Sequence, residues 1–340
     1  MKKTLLFLII ISFQINVIAQ ENVEIKQVNW QTFKEVGESF TASQKPVMVY
    51  LYSNSCDSCQ IMNVNTFMNQ EVVNYLNILF YNIKLDVETT DSVTFFDGTV
   101  FGKSANKKYN DIIYNLIGEN VELPALLMFN KQAQGMLFTG FKDRDHIFPI
   151  LIYYNEQIYN SVEYSVFEKN YFKAYPIGMQ QIMTKLNIKW KSFDEMIAAQ
   201  EEKPKKILID IYYNYSIAAT MMRTNTFNQP LIAKYLNENY NCTTVEAQGD
   251  DEVTIKGITY KNSGESHKFH QFAIAALEGK MIFPAFLILD EDYNLLDRIQ
   301  FYLPPEELEP ILNYYGGDYY KTMTYEVFKQ TFVSSIDSEN

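Results

Sequence analysis

The chain has 340 residues, of which 47% are hydrophobic, and a net charge of −12 at pH 7. This length is enough for two domains that each bury a core of their own. The negative charge argues against nucleic acids and anionic membrane surfaces as partners, and three cysteines are too few for a disulfide scaffold.

The first 19 residues have the pattern of an export signal. Lys2 and Lys3 form a basic start, residues 5–13 are apolar, and Val17–Ala19 completes a small-residue cleavage pattern. The apolar stretch is shorter than the roughly 20 residues of a membrane-spanning helix, although an uncleaved anchor is the alternative. We therefore expect residues 1–19 to be a signal peptide and the mature chain to be periplasmic or secreted, with no further membrane span.

A predicted buried strand leads into two closely spaced cysteines. Residues Pro46–Tyr52 form a mostly apolar run, which is typical of a central strand covered on both faces. After a short polar loop, Cys56 and Cys59 stand at the start of a predicted helix. Cysteines at this spacing can cycle between dithiol and disulfide, whereas a structural zinc site needs about four ligands. We therefore predict a redox pair and no metal site; a static disulfide or idle thiol pair is the alternative.

The remaining pattern predicts strands that alternate with helices, which is typical of an α/β domain. The predicted elements of the first half are a helix starting at Trp30, the strand Pro46–Tyr52, a helix after the cysteines, a second helix from near Asn69, the strand Phe80–Asp86, a helix on the apolar stripe between Tyr109 and Ile117, the strands Ala125–Phe129 and Gly135–Phe141, and a last helix.

The chain repeats itself after 160 residues. The matched pairs include Trp30 with Trp190, Phe33 with Phe193, Thr66 with Thr226, Tyr75 with Tyr235 and Pro124 with Pro284. A register held over this length predicts two homologous domains, residues 20–175 and 176–340. The second copy has Ser216 and Ala219 at the cysteine positions, so it cannot exchange disulfides through this motif.

The motifs of the first domain follow the order of a known family. They are the strand before Cys56 and Cys59, the helix with Met62 and the pair Thr66-Phe67, the segment Ile83–Asp86, and Pro124 at the start of a later strand. In this order they resemble the thioredoxin superfamily, particularly exported domains of the disulfide-relay type. The resemblance covers both halves and implies an α/β fold of two tandem thioredoxin-like domains, each a central mixed sheet flanked by helices.

The resemblance implies roles for four residues. Cys56, at a helix N-terminus, would be the attacking sulfur, because the helix dipole and free N–H groups stabilise its thiolate. Cys59 would be the more buried, resolving sulfur. Pro124 would be a cis-proline opposite the cysteines, and Leu123 would offer backbone groups to an extended substrate segment. The alternative for Pro124 is a turn proline without a ligand role.

Departures from the family pattern concern the residues around the cysteines. Tyr50 stands where the family often has a buried carboxylate, and Tyr is a poor base near neutral pH. Lys84 matches the family's lysine on the neighbouring strand. Asp57, inside the motif, should raise the pKa of the thiols, which suggests a slow, reductase-leaning exchanger. In the second domain Asp210 occupies the carboxylate position and Thr244 the lysine position.

The leading prediction is an exported thiol–disulfide oxidoreductase that acts through Cys56 and Cys59 and needs no cofactor. Its partners would be cysteine-containing protein substrates and a redox partner protein. The second domain would be a redox-inactive copy used for packing or binding, and Cys242 an inert buried thiol. The alternative is a non-enzymatic binding module whose two grooves hold extended segments of a partner.

Overall fold

A computed structural model describes residues 26–40, 45–177, 186–264 and 268–336. The predicted signal peptide, residues 1–19, lies outside them. None of the helices within these ranges is long and apolar enough to cross a membrane. The domain boundary between residues 175 and 176 stays a prediction.

The first half builds a five-stranded mixed sheet with helices on both faces. In chain order this half contains β1 (Trp30–Gln31), β2 (Val47–Tyr52), β3 (Tyr81–Asp86), β4 (Val93–Thr94), β5 (Val100–Phe101), β6 (Ala125–Phe129) and β7 (Gly135–Thr139). β4 and β5 form a separate hairpin, and the other five strands form the sheet. Its helices are α1 (Phe33–Phe40), α2 (Asp57–Asn65), α3 (Gln70–Leu79), α4 (Asp111–Ile117), α5 (Arg144–Asn155) and α6 (Tyr164–Ala174), with a 3-10 turn at Ile158–Asn160. The sheet order is β1-β3-β2-β6-β7, in which β1, β3 and β2 are parallel and β6 and β7 antiparallel.

The second half repeats this plan with a four-stranded sheet. In chain order this half contains β8 (Lys206–Tyr212), β9 (Tyr240–Glu246), β10 (Val253–Ile255), β11 (Ile258–Tyr260), β12 (Ala285–Leu289) and β13 (Leu295–Ile299). β10 and β11 form a separate hairpin, and the other four strands form the sheet. Its helices are α7 (Phe193–Glu202), α8 (Ile217–Met221) continued by a π-helix (Met222–Thr226), α9 (Pro230–Asn239), α10 (Gln271–Ala276), α11 (Pro305–Gly316) and α12 (Tyr325–Thr331), with a 3-10 turn at Tyr319–Lys321. The order β13-β12-β8-β9 corresponds to β7-β6-β2-β3 of the first sheet. The predicted α/β fold with two thioredoxin-like units is confirmed.

The alternation of side chains along β2 explains how the sheet separates two cores. Val47, Val49 and Leu51 pack on one face with residues of α1 and α4. Met48 and Tyr50 pack on the other face with α2, α3 and α5. Successive strand residues point to opposite faces, so the nearly continuous apolar run buries both sides of the strand.

The core on the second face of the first sheet continues into the second half of the chain. One cluster of buried residues contains Met48 and Phe167 from the first half together with Leu208, Phe286 and Leu308 from the second. Phe167 and Tyr302 meet edge to face with their ring centroids 5.8 Å apart. The two sheets therefore share a central core, and each keeps a separate core on its outer face.

The elements differ from the sequence prediction in two respects. Trp30 does not start a helix: it lies in β1, parallel to Asn82 of β3, and the helix begins at Phe33. The Thr32 N–H and hydroxyl both donate to the Glu35 carboxylate, which fixes the helix start after Trp30. The sequence did not predict the short hairpins β4–β5 and β10–β11 or the helices α6 and α12. Short strands and a second terminal helix leave little periodic signal.

Candidate active site

Cys56 and Cys59 lie at the point where β2 passes into α2. Cys56 is the N-cap of α2 with extended backbone angles, and the Cys59 N–H donates to Cys56 Sγ at 3.1 Å. The two residues form a disulfide with their Cα atoms 5.2 Å apart. Cys56 is partly exposed and Cys59 is fully buried. This arrangement presents one sulfur to a partner and shields the other.

A polar loop, Ser53–Ser55, connects the end of β2 to Cys56. The Cys56 N–H donates to the Ser53 carbonyl at 3.2 Å. Ser53 Oγ donates to Glu88 Oε2 at 2.7 Å, and Asn54 Nδ2 donates to Asp86 Oδ2 at 2.9 Å. Sequence reasoning missed Glu88, whose repeat partner Gln248 has no charge; comparing the two copies position by position would have found it.

Tyr50 is buried next to the cysteine pair. Its hydroxyl donates to the Cys59 carbonyl oxygen at 3.1 Å, and its ring stacks on Tyr52 with centroids 5.6 Å apart. Burial raises the pKa of Tyr50 above its ordinary value of 10. The phenol therefore stays protonated at neutral pH and acts as a hydrogen-bond donor, not as a base.

Lys84 lies beside the aromatic rings on the same face of the sheet. Its Nζ donates to Asn63 Oδ1 at 3.0 Å and stands 4.5 Å from the Tyr52 ring centroid and 5.7 Å from that of Trp30. Partial burial lowers the pKa of Lys84. The cation is thus held by an amide and by ring faces, where the family pattern implies a carboxylate neighbour.

Pro124 follows a cis peptide bond from Leu123, as the resemblance implies, and Pro284 follows one from Phe283 in the second half. The next residue, Ala125, pairs with Leu51 of β2. This register places Pro124 beside the end of β2 from which the cysteine loop departs. Whether Leu123 and Pro124 bind a substrate segment stays a prediction.

The second domain keeps the geometry of the helix start without the sulfurs. Ser216 is the N-cap of α8, and its Oγ accepts a hydrogen bond from the Ala219 N–H at 2.9 Å. This bond has the same place as the one between Cys59 N–H and Cys56 Sγ in the first domain. The backbone of the motif is therefore preserved while the redox chemistry is lost.

A carboxylate from the first half occupies this second helix start. Glu156, at the end of α5, accepts hydrogen bonds from Ser216 Oγ at 2.7 Å and from the N–H groups of Ile217 and Ala218 at 2.9 Å each. Burial raises the pKa of Glu156 to about 7, against the lowering effect of the three donors. In an active copy the N–H groups at this helix start would stabilise a thiolate. Here they bind Glu156 instead and so link the two halves of the chain.

Asp210 is buried on the sheet face that meets the shared core. Its Oδ2 lies 3.4 Å from Arg223 Nε, and the Arg223 guanidinium lies 4.1 Å from the centroid of the Tyr212 ring. Burial raises the pKa of Asp210 to about 7, and the Arg223 charge opposes the rise. Thr244 occupies the position of the family's lysine in this domain. The positive charge beside Asp210 comes instead from Arg223 on the π-helix.

Cys242 is a free, buried cysteine on β9. Burial raises the pKa of its thiol to about 12. Such a thiol stays protonated at neutral pH and is a poor nucleophile. Among the residues that the structure describes, no three His, Cys, Asp or Glu side chains are grouped so that they could hold a metal ion.

The fold and the cysteine pair define a class: a thioredoxin-fold protein with a disulfide at a helix N-terminus. Residues 19–107 match a family model described as "Thioredox_DsbH: Protein of unknown function, DUF255". The matched segment is about a quarter of the chain and includes the cysteine pair; it is similar to the thioredoxin superfamily, and the pair supports thiol–disulfide exchange in general.

Some solved structures are similar to parts of the chain at low sequence identity. A thioredoxin from Thermus thermophilus shares 18% identity over 37% of this chain and 85% of that one, with a TM-score of 0.29. A DsbH oxidoreductase shares 11% over 36% and 81%, with a TM-score of 0.27. The oxidised DsbD C-terminal domain from Neisseria meningitidis shares 15% over 36% and 90%, with a TM-score of 0.26. These scores are too low to assign a function, and no curated protein matches the chain.

Proposed function

We propose that this protein is an exported thiol–disulfide oxidoreductase that exchanges disulfides with cysteine-containing proteins through Cys56 and Cys59. The observation that carries the proposal is the disulfide at the start of α2, with Cys56 partly exposed and Cys59 buried. An exposed attacking sulfur and a shielded resolving sulfur are what two-step exchange requires.

In the reducing direction, the Cys56 thiolate attacks one sulfur of a substrate disulfide. A mixed disulfide forms and the first substrate thiolate leaves. Cys59 then attacks Cys56 Sγ, its proton passes to the departing second substrate sulfur, and the Cys56–Cys59 disulfide closes. Two electrons move from the protein to the substrate. A redox partner protein would return the pair to the dithiol.

The side chains around the pair support this chemistry without supplying a base. The Cys59 N–H at 3.1 Å and the free end of α2 stabilise negative charge on Cys56 Sγ. Tyr50 stays protonated and fixes the Cys59 backbone. Leu123, before the cis-proline, would pair with an extended substrate segment by backbone hydrogen bonds.

Export is proposed from the amino-terminal pattern of Lys2 and Lys3, the apolar residues 5–13 and the small residues that follow. An oxidising compartment outside the cytoplasm suits a protein that cycles through a disulfide. Peptide mapping of the mature protein from its native host would test both the cleavage after Ala19 and the location.

The alternative, a binding module with two peptide grooves, has less support in the second domain. There Glu156 already accepts the hydrogen bonds of Ser216, Ile217 and Ala218. An external segment would have to compete with a buried carboxylate of the same chain for these donors.

Reduction of a disulfide-bonded test protein by the mature chain, with a small dithiol as electron source, tests the proposed activity. Catalysis should disappear in Cys56→Ser and persist in the matched variant Cys242→Ser, because Cys242 is buried and protonated. The Cys59→Ser variant should accumulate a mixed disulfide with the substrate, since no resolving sulfur remains. Equal activity of Cys56→Ser and the unaltered chain would refute the proposal.

A further inference from the structure

The loop before Cys56 is held by a carboxylate to which the proposed function gives no role. Glu88 lies two residues after β3 and is half-buried. Its Oε2 accepts hydrogen bonds from Ser53 Oγ at 2.7 Å and from Ser55 Oγ at 3.3 Å. The two serine hydroxyls are 2.8 Å apart, and the Ser55 N–H also donates to Ser53 Oγ at 3.1 Å. Glu88 therefore fixes the residue that directly precedes the attacking sulfur.

The second domain shows that the loop folds without this network. The Cys56 N–H bond to the Ser53 carbonyl has its counterpart between Ser216 and Tyr213, at 2.9 Å. The turn after the strand is also kept: the Ala247 N–H donates to the Tyr212 carbonyl at 2.7 Å, as Val87 does to Tyr52 in the first domain at 2.8 Å.

The residues that differ between the copies are those of the network itself. Tyr213 and Tyr215 stand in place of Ser53 and Ser55, and Gln248 stands in place of Glu88. Glu88, Ser53 and Ser55 are thus present in the domain that has the cysteines and absent from the domain that lacks them. Both copies keep the backbone hydrogen bonds of the loop, so in the first domain the network adds side-chain contacts at Ser53 and Ser55 to a fold that the backbone already sets.

Glu88 contacts Ser55, the residue next to Cys56, so a negative charge on it would oppose the helix dipole at Cys56. A carboxylate near a thiol disfavours the thiolate, and disfavouring the thiolate of the dithiol form makes the disulfide more stable and the dithiol a better reductant. Asp57 and Asp86 add negative charge near the same loop. Lys103, whose Nζ donates to the Glu88 carbonyl at 3.1 Å, brings a positive charge to the same turn. The pKa of Lys108 is raised mainly by Tyr109 and in smaller part by the Glu88 charge.

We infer that Glu88 is a positioning residue for Cys56: through Ser53 and Ser55 it sets the approach of the attacking sulfur, and through its charge it makes the pair a reductant. The inference rests on the proposed function, which it extends by naming the residue that positions the attacking sulfur and favours the reducing direction. It concerns a group outside the Cys-x-x-Cys motif, brought to the loop by the turn after β3.

The test replaces Glu88 by the residue that the second domain carries. Glu88→Gln keeps the size and one acceptor but removes the charge. The midpoint of the pH profile for alkylation of reduced Cys56 should fall by about half a pH unit, as expected for one nearby charge in partly exposed surroundings. The equilibrium constant for forming the disulfide with glutathione should fall about threefold. Glu38→Gln, an equal charge change at an exposed position of α1, should change neither.

A second variant separates positioning from charge. Ser53→Ala combined with Ser55→Ala keeps Glu88 but removes the hydroxyl contacts, so the exchange rate constant should fall at least threefold while the alkylation midpoint does not fall. An unchanged midpoint in Glu88→Gln, or an unchanged rate in the serine variant, would overturn the inference. Alkylation reports the Cys56 thiol whether or not a protein disulfide is reduced, so a failure of the proposed function is distinguishable from a failure of this one.

Discussion

Tyr50 stands where related domains often place a buried carboxylate, and the hydrogen bond of its hydroxyl to the Cys59 carbonyl explains what it does instead. A phenol whose pKa is raised by burial cannot accept the proton of a thiol near neutral pH. It can hold the backbone of the resolving cysteine in place. Its contribution is therefore structural, and Tyr50 does not serve as the base for the thiols.

Replacing Tyr50 by Phe should cost about 1 kcal/mol of unfolding free energy, the usual effect of one lost hydrogen bond. The pH dependence of exchange should not change, because no titrating base has been removed. Tyr153→Phe is the matched control, since the Tyr153 hydroxyl donates to the Val162 carbonyl away from the cysteines. A shift in the pH profile for Tyr50→Phe alone would contradict this assignment.

Asp210 is the corresponding residue of the second domain, and its burial has a consequence for stability. The pKa of this carboxyl rises from 3.8 to about 7 on folding. The folded chain therefore binds this proton more tightly than the unfolded chain does. The protonated carboxyl contributes its full stabilisation of the folded state below pH 3.8, and this contribution is lost as the pH rises through 7. The Asp210→Asn chain should lack this loss.

At pH 8 the Asp210→Asn variant should be more stable than the unaltered chain by about 2 to 4 kcal/mol, and near pH 4 the two should be similar. Urea unfolding over this pH range measures the difference. A variant that is destabilised at pH 8 would mean that the 3.4 Å contact with Arg223 outweighs the cost of burying the charge.

At the scale of elements, the start of α8 compares directly with the start of α2. Both helices begin with an extended N-cap residue whose side chain accepts a hydrogen bond from the residue three positions later. They differ in what the remaining N–H groups bind: those of Ile217 and Ala218 bind Glu156. Restoring the cysteines alone should therefore not restore an active site.

A chain with Ser216→Cys and Ala219→Cys, in which Cys56 and Cys59 are serines, tests this expectation. Above pH 7 the Glu156 carboxylate should keep the new thiol at position 216 protonated, so its exchange at pH 8 should be at least about tenfold slower than that of the unaltered chain. Adding Glu156→Gln should recover part of the rate. Exchange as fast as the unaltered chain would show that Glu156 does not block the helix start.

The sequence predicted most elements because their signals are local. Asn69 caps α3 through its side-chain oxygen, and Pro230 opens α9, as their residue types indicate. The prediction failed at Trp30, where pairing with Asn82 across the sheet outweighs the local helix signal. Strand pairing of this kind depends on residues far away in the chain.

At the scale of the whole molecule, the central core joins the two halves through apolar contacts and through Glu156. The Phe167–Tyr302 ring contact and the three hydrogen bonds of Glu156 cross between the halves. Burying this carboxyl raises its pKa from 4.5 to about 7. The protonated Glu156 contributes its full share of the unfolding free energy below pH 4.5 and loses it as the pH rises through 7. The unfolding free energy should fall by about 3 kcal/mol over this range.

Replacing Glu156 by Gln should flatten the dependence of unfolding free energy on pH between 4.5 and 7. Near pH 4.5 the variant and the unaltered chain should be similar in stability, because the protonated carboxyl and the amide each have one carbonyl acceptor and one donor group. Glu202→Gln on the exposed end of α7 is the control. The same pH dependence in the Glu156→Gln and unaltered chains would mean that the carboxyl does not stay buried between the halves.

By itself the sequence determined the local features of this protein: the cysteines three apart after an apolar strand, the repeat, and the proline of the later strand. These follow from spacing and periodicity, which neighbouring residues set. Only the tertiary structure decided what surrounds the two helix starts. Ser53 and Glu88 are 35 residues apart, and Glu156 and Ser216 are 60 apart. Charges act through space, so their partners depend on which loops the packed sheets bring together.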